Sequence, residues 1–219
     1  MNLSPSSARQ TGSTLSAGKV LVFDSGMGGL TVAREILEDA PGLSVDYAAD
    51  TAFFPYGEKS DDVLRARLPK VARYLVERVR PDIFVIACNT ASTLALEEVR
   101  AALDIPVVGT VPAIKPAAKL TQSGTIGLLA TPGTIRRAYT ADLISKFAAD
   151  LRVIQHGSAD LVRLAEAYAA GETVSPPAIA ACQKPLFAAA GGEEMDVIVL
   201  ACTHFPLVRD LLAESALHP

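Results

Sequence analysis

Residues 83–92 read IFVIACNTAS, and the fold turns on how they are read. Ile83 to Ala87 is an unbroken apolar run rich in Ile, Val and Phe. A run that short suits a strand buried on both faces of a parallel sheet. Cys88, Asn89 and Thr90 follow, small and polar, where such a strand ends. Thr90 or Ser92 is expected to cap a helix carrying Leu94, Leu96, Glu97, Glu98 and Val99. The Cys88 thiol therefore belongs at a strand's carboxyl end, beside a helix N-terminus. Ligands bind at that end of open α/β sheets, and a helix N-terminus lowers a thiol's pKa.

The chain does this a second time. Residues 195–207 read MDVIVLACTHFPL, and setting Cys202 on Cys88 superposes Asp196 on Asp82, Val199 on Val85 and Ala201 on Ala87. Pro206 stands where a first helical turn would begin. Two strand-end cysteines, 114 residues apart, imply two similar halves whose thiols face one ligand from opposite sides.

Between and around these units, strands and helices alternate. Strands are expected at Lys19 to Phe23, Val45 to Ala48, Ile105 to Val111, Thr125 to Ala130 and Leu151 to Gln155. Helices are expected at Leu30 to Glu38, Asp61 to Val79, Ile135 to Phe147, Leu161 to Ala170, Pro177 to Ala190 and Leu207 to Ala213. Pro69 and Pro185 predict kinks in their helices. The class is α/β with two similar lobes, each a mostly parallel sheet flanked by helices, and the active site in the cleft between them. Residues 1–18 form a disordered tail by composition. The first lobe spans 19–112 and the second 113–219.

Small polar residues close four of the strands: Asp24 and Ser25, Cys88 to Thr90, Thr131 to Thr134, and Cys202 to His204. The glycines of Gly26-Met27-Gly28-Gly29 match neither the dinucleotide fingerprint nor a P-loop. Asp24 and Ser25 beside them can hold a base or an ammonium group. Half of the 219 residues are hydrophobic and the formal net charge is −4, which argues against a nucleic-acid partner. No apolar run reaches the roughly 20 residues of a membrane helix, and no secretion signal is legible. Three cysteines without disulfide spacing fit a cytoplasmic location. Cys182, in an Ala-rich helix, is expected to be a small buried apolar residue.

Paired thiols have several uses. They can form a redox couple, though no Cys-x-x-Cys is present. Cys88, Cys202 and His204 can be drawn as a zinc set, although the spacing is a weak zinc pattern. One cysteine alone can be a nucleophile. Two thiols on opposite faces of a carbon can also invert it: one thiolate takes a proton while the other thiol returns one. That chemistry needs each thiol tuned near its ordinary value of about 8.5. Asp24 and His204 are the available tuners. It also needs donors for the developing negative charge, for which helix-start N–H groups, Ser25, Asn89, Thr90 and Thr203 are candidates.

The joint pattern of VFDSGMGGLTV (22–32), PYG (55–57), CNTAS (88–92), GLLATPGT (127–134) and ACTHFPL (201–207) resembles bacterial glutamate racemase, of the aspartate/glutamate racemase family, over essentially all of 19–212. The resemblance implies cofactor-independent interconversion of L- and D-glutamate, supplying D-glutamate for peptidoglycan. It makes Cys88 and Cys202 the proton donor/acceptors, assisted by Asp24, Glu166 and His204. It makes Asp24-Ser25, Tyr56-Gly57, Asn89-Thr90 and Thr203-His204 substrate contacts, with Thr131 and Thr134 reaching the carboxylates. No metal is implied. His204, where related aspartate racemases carry Glu, favours glutamate over the alternative, aspartate. Residues before 19 and Gly157 to Val162 resemble the branch regulated by the peptidoglycan precursor UDP-N-acetylmuramoyl-L-alanine, and the family often forms homodimers. Family members usually continue past this chain's Pro219 and return to the first lobe. The shorter chain is therefore expected to be less stable or less active, in the limit a ligand-binding homologue with weak catalysis.

Overall fold

The computed structural model describes residues 18–216; the expected tail lies almost wholly outside them. Seven strands and nine α-helices alternate within this range. The first lobe contains β1 (Lys19–Asp24), α1 (Leu30–Asp39), β2 (Ser44–Ala49), α2 (Asp61–Val79), β3 (Ile83–Ile86), α3 (Asn89–Ala102) and β4 (Val107–Gly109). Its strands are all parallel, in the order β2-β1-β3-β4. The second contains α4 (Ile114–Leu120), β5 (Thr125–Ala130), α5 (Pro132–Ile135), α6 (Ala138–Phe147), β6 (Arg152–Gly157), α7 (Ala159–Ala169), α8 (Pro176–Ala188), β7 (Val197–Ala201) and α9 (Arg209–Glu214). Its three strands are parallel too, in the order β6-β5-β7. The second sheet thus repeats the first three strands of the first, and β7 stands where β3 does.

Each sheet is covered on both faces, which is why its central strands are apolar throughout. Leu21, Phe23, Phe84 and Ile86 pack with Leu64, Leu68 and Ala72 of α2 and with Ala91, Leu94 and Val99 of α3. Val20, Val22 and Val85 point the other way, against Ala33 and Ile36 of α1. In the second lobe Ile126, Leu128 and Ala130 face Ile114 and Ala117 of α4. Leu129 and Ile154 face Leu161, Ala165, Ile179 and Leu186 of α7 and α8.

The aspartates before the two cysteine strands do matching work. Asp82 accepts the Lys19 N–H at 2.7 Å, tying the start of β3 to the start of β1. Asp196 accepts the Gln122 and Ser123 N–H groups at 2.7 and 2.9 Å and the Thr121 hydroxyl at 2.6 Å, tying β7 to the turn before β5. Those bonds hold the Asp196 carboxyl well below the ordinary range.

Several local expectations are corrected. Helix α3 begins at Asn89, directly after Cys88, with neither Thr90 nor Ser92 as its cap. Ser92 instead turns its hydroxyl back to the Ile86 carbonyl at 3.0 Å. The break in α3 falls at Ala95, where φ and ψ leave the helical region. Helices α2 and α8 run through Pro69 and Pro185 without such a break. The strand expected over 105–111 shrinks to three residues because β4 is an edge strand with one neighbour. The helix expected over 135–147 is two, α5 and α6. Cys182 is half-buried, not fully buried.

Candidate active site

Four strand ends converge between the lobes. β1 and β3 are neighbours, so Asp24 and Cys88 leave the first sheet side by side. β5 and β7 are neighbours, so Thr131 and Cys202 leave the second side by side. The two ends face each other: Thr203 donates its hydroxyl to Asp24 Oδ2 at 2.8 Å, and the Thr90 and Thr131 hydroxyls lie 3.0 Å apart.

Each sulfur sits at the start of a helical turn. Cys88 is the residue before α3 and receives the N–H groups of Thr90 and Ala91. Cys202 precedes the short 3-10 turn Phe205–Val208 and receives those of His204 and Phe205. The settings are similar because the sequences are. Burial nevertheless outweighs these donors. It pushes the Cys88 thiol up to about 12, with the Asp24 charge adding and the bonds from Ala91, Ser25 and Thr90 only partly offsetting. Burial pushes Cys202 up as well, and the charges of Cys88 and Asp24 add to it. The expectation that helix N-termini lower these thiols is corrected: the lowering is present but smaller than the desolvation.

Each sulfur also has its own companion. Ser25 Oγ lies 3.8 Å from Cys88 Sγ, and Ser25 is held by Asp24, whose Oδ1 accepts its N–H at 2.5 Å. His204 Nδ1 lies 3.8 Å from Cys202 Sγ. Its Nε2 faces Glu166 Oε2 at 2.6 Å. Glu166, from α7, also accepts the Met27 N–H at 2.9 Å, so the glycine-rich turn of the first lobe rests on a carboxylate of the second. Asp24 is wholly buried. Burial raises its carboxyl, partly offset by the His204 charge and the bonds from Thr203, Gly26 and Ser25. Gly28 is glycine for a steric reason: a Cβ there would meet Thr203 Oγ1 at 2.7 Å and strike the His204 ring.

The remaining candidates line the same region. Thr131 Oγ1 accepts the Thr134 N–H at 3.1 Å as the N-cap of α5. Asn89 accepts the Thr110 hydroxyl at 3.2 Å. Gly57 packs flat against Thr131, leaving no room for a side chain: a Cβ would lie 2.7 Å from the Thr131 Cβ. Tyr56 is buried beneath it, its hydroxyl on Asp50 Oδ2 at 2.6 Å. All the sequence-derived site residues therefore come together. Sequence reading passed over Tyr47, Asp50, Arg67 and Arg137. Tyr47 donates to the Gly26 carbonyl at 2.5 Å. Asp50 carried a usable signal, a carboxylate at the end of β2 as Asp24 is at the end of β1; Arg137 carried none.

As to metals, no three His, Cys, Asp or Glu side chains among the described residues stand where they could hold an ion. The three cysteines are unbridged. The arrangement at this site is a pair of buried thiols, each with its own polar companion and closely flanked by neutral donors. It defines an amino-acid racemase-type site on a two-lobed α/β fold. A family model for Asp/Glu/Hydantoin racemase matches residues 29–218, and the chain belongs to that family. Its relatives there are glutamate racemases. That of Sphingopyxis alaskensis is 54% identical over 196 residues, 88% of this chain and 72% of the relative. That of Agrobacterium fabrum is 47% identical over 201 residues, 91% of this chain and 74% of the relative. Among solved structures, Escherichia coli glutamate racemase in complex with L-glutamate and the activator UDP-MurNAc-Ala superposes with a TM-score of 0.86 at 46% identity. It covers 91% of this chain and 74% of that one.

Proposed function

We propose that the chain interconverts L- and D-glutamate by two-base proton transfer between Cys88 and Cys202. The observation that carries this reading is the matched setting of the two buried sulfurs, each at a helical start, at the ends of β3 and β7 where the lobes meet. As the thiolate on one side removes the α-proton, the thiol on the other side donates to the opposite face. The roles exchange for the other enantiomer. Asp24 takes the substrate ammonium, which neutralises the carboxylate that holds Cys88 up. Ser25 keeps Cys88 oriented, and His204, backed by Glu166, does the same for Cys202 and can share its proton. The Arg side chains nearest the site are already committed, Arg137 to Thr90 and Asp61 and Arg67 to Asp50, and are not assigned to the two substrate carboxylates. Neutral donors serve instead: Asn89, Thr90, Thr131, Thr134 and Thr203, with the Tyr56-Gly57 loop. Neutral donors bind a carboxylate without adding a fixed positive charge that would trap product.

Glutamate is the substrate favoured over aspartate, on the relatives' identity and on His204. D-glutamate would feed peptidoglycan, which places the work in the cytoplasm. The described residues contain no helix long and apolar enough to cross a membrane. The Escherichia coli relative's complex with UDP-MurNAc-Ala supports a peptidoglycan precursor as activator here too. The deciding experiment is circular dichroism of L-glutamate incubated with the protein in D2O. Loss of optical signal with deuterium entering at the α-carbon is expected. Turnover of aspartate but not glutamate would reverse the specificity, and silence with both would remove the racemase reading.

A further inference from the structure

The residues between β2 and α2 form two short 3-10 turns, Thr51–Phe53 and Tyr56–Glu58, joined by Phe54 and Pro55. Turns this short have little stability of their own, yet this loop reaches across the cleft. The Phe54 ring lies tilted against the His204 ring, centroids 5.4 Å apart, Gly57 lies against Thr131, and Glu58 pairs with Arg163 of α7. Something must hold it in place. One carboxylate does most of this. Asp50 donates its N–H to the Asp24 carbonyl at 2.9 Å, which fixes it to the end of β1. Its side chain accepts Arg67 Nε and Nη2, both at 2.6 Å, and the Tyr56 hydroxyl, also at 2.6 Å. The Arg67 guanidinium in turn covers the Phe53 ring at 3.7 Å. The two ends of the loop and the helix after it therefore meet at a single anion.

We propose that Asp50 and Arg67 are positioning residues for the substrate: their ion pair, through the Tyr56 hydroxyl, sets the Phe54–Gly57 loop where it contacts glutamate. This rests on the racemase reading of the same site. Asp50 resembles Asp24 in placement but not in duty. Its charge is already paired with the Arg67 guanidinium, and its oxygens accept three bonds from Arg67 and Tyr56, so the anion serves the loop. Burial acts to raise its carboxyl, and the Arg67 and Tyr56 bonds outweigh that and hold it below the usual range. It remains an anion and an acceptor. Two parallel bonds to a planar guanidinium fix orientation as well as distance, which a lysine cannot reproduce. Because the loop touches the substrate's bound form and its transition state alike, displacing it weakens both together. The cost then appears in KM more than in kcat.

The test uses Asp50→Asn, Arg67→Gln, Arg67→Lys and Tyr56→Phe in the whole chain. KM for both enantiomers is expected to rise about tenfold, the cost of one charged hydrogen bond, with kcat nearly unchanged. Arg67→Lys should recover only part of the loss. The Asp50→Asn/Tyr56→Phe pair should cost less than the sum of the two single changes, because both weaken the Tyr56–Asp50 bond. Without substrate, amide exchange over 51–58 should accelerate in Asp50→Asn and Arg67→Gln while β1 and β3 keep their protection. An unchanged KM in a folded variant overturns the proposal. So does a fall in kcat at constant KM, or exchange that accelerates equally through the whole first lobe. A wild-type chain that racemises neither enantiomer removes the racemase reading instead, and the exchange measurement still decides whether the clamp holds the loop.

Discussion

At the scale of single residues, the two thiols carry a tension that sets the pH behaviour. Burial raises both, and the helix-start N–H groups at each sulfur pull the other way without winning. Burial therefore favours both as thiols, while the proposed reaction requires one as thiolate. In the proposed reaction the substrate ammonium at Asp24 removes one of the charges that raise Cys88 and Cys202, though not the larger effect of burial. Thiolate remains the scarcer form, so kcat/KM should climb as pH rises from about 6.5 to 8.5, toward the ordinary thiol range. A flat profile over that interval would speak against a thiolate base. Replacing either sulfur is more severe. Cys88→Ser and Cys202→Ser should each lower turnover by about 10² to 10⁴-fold, the range for losing a general acid or base. Calorimetry should still show glutamate binding. A variant retaining ordinary turnover would mean that the proton passes through another group. Both cysteines were legible in the sequence because a strand-end thiol after an apolar run is a local pattern. Their pKa was not, since desolvation depends on what the other lobe lays over them.

At the scale of elements, α7 has a part that periodicity alone does not suggest. Ser158 caps its start by accepting the Leu161 N–H at 3.1 Å, and Glu166 then reaches both His204 and the Met27 N–H. Burial raises the Glu166 carboxyl, but those bonds outweigh it and leave the folded value below the ordinary one. The sign follows directly. A carboxyl with a depressed folded pKa contributes its stability in full above the unfolded value of about 4.3, and that contribution fades as pH falls through the folded value. Urea midpoints of the wild type should therefore drop more steeply than those of Glu166→Gln as pH is lowered from about 5 to 3. Parallel curves would show that Glu166 contributes no pH-linked stability. Element types were readable where the hydrophobic period was strong: β5 begins and ends where its apolar run does. Boundaries failed where tertiary packing overrode local preference. Helix α3 starts on Asn89 because Cys88 is held at the strand end, and α2 keeps Pro69 because Leu64, Leu68 and Ala72 anchor its buried face.

At the scale of the whole molecule, the repeat of β3 in β7 announced two lobes, but nothing local announced how they dock. Phe54 of the first lobe packs against the apolar core of the second, and most of the other joins are polar: Thr203 to Asp24, Glu166 to the Met27 N–H, Thr90 to Thr131, Arg163 to Glu58. Arg137 belongs with these. It precedes α6 in the second lobe, is only 8% exposed, and sends Nη1 to the Thr90 carbonyl at 3.0 Å and Nη2 to Asp61 at 2.7 Å in the first. Such contacts were invisible in the sequence because they depend on two surfaces 47 and 76 residues apart meeting. They also bear on turnover. If wholly buried Asp24 holds the substrate ammonium as proposed, the lobes must part to admit glutamate, and a mainly polar seam favours that motion over a fused apolar one. Arg137→Ala removes two bonds from a charged donor and should cost about 1.5–3 kcal/mol of stability, read from urea unfolding. The same change weakens the closed state in which substrate is held, so KM should rise. If parting of the lobes limits the cycle, kcat should stay level or increase, because product leaves a looser seam sooner. A tenfold fall in kcat with KM unchanged would instead make Arg137 a support for the chemistry at Thr90, not a latch between lobes.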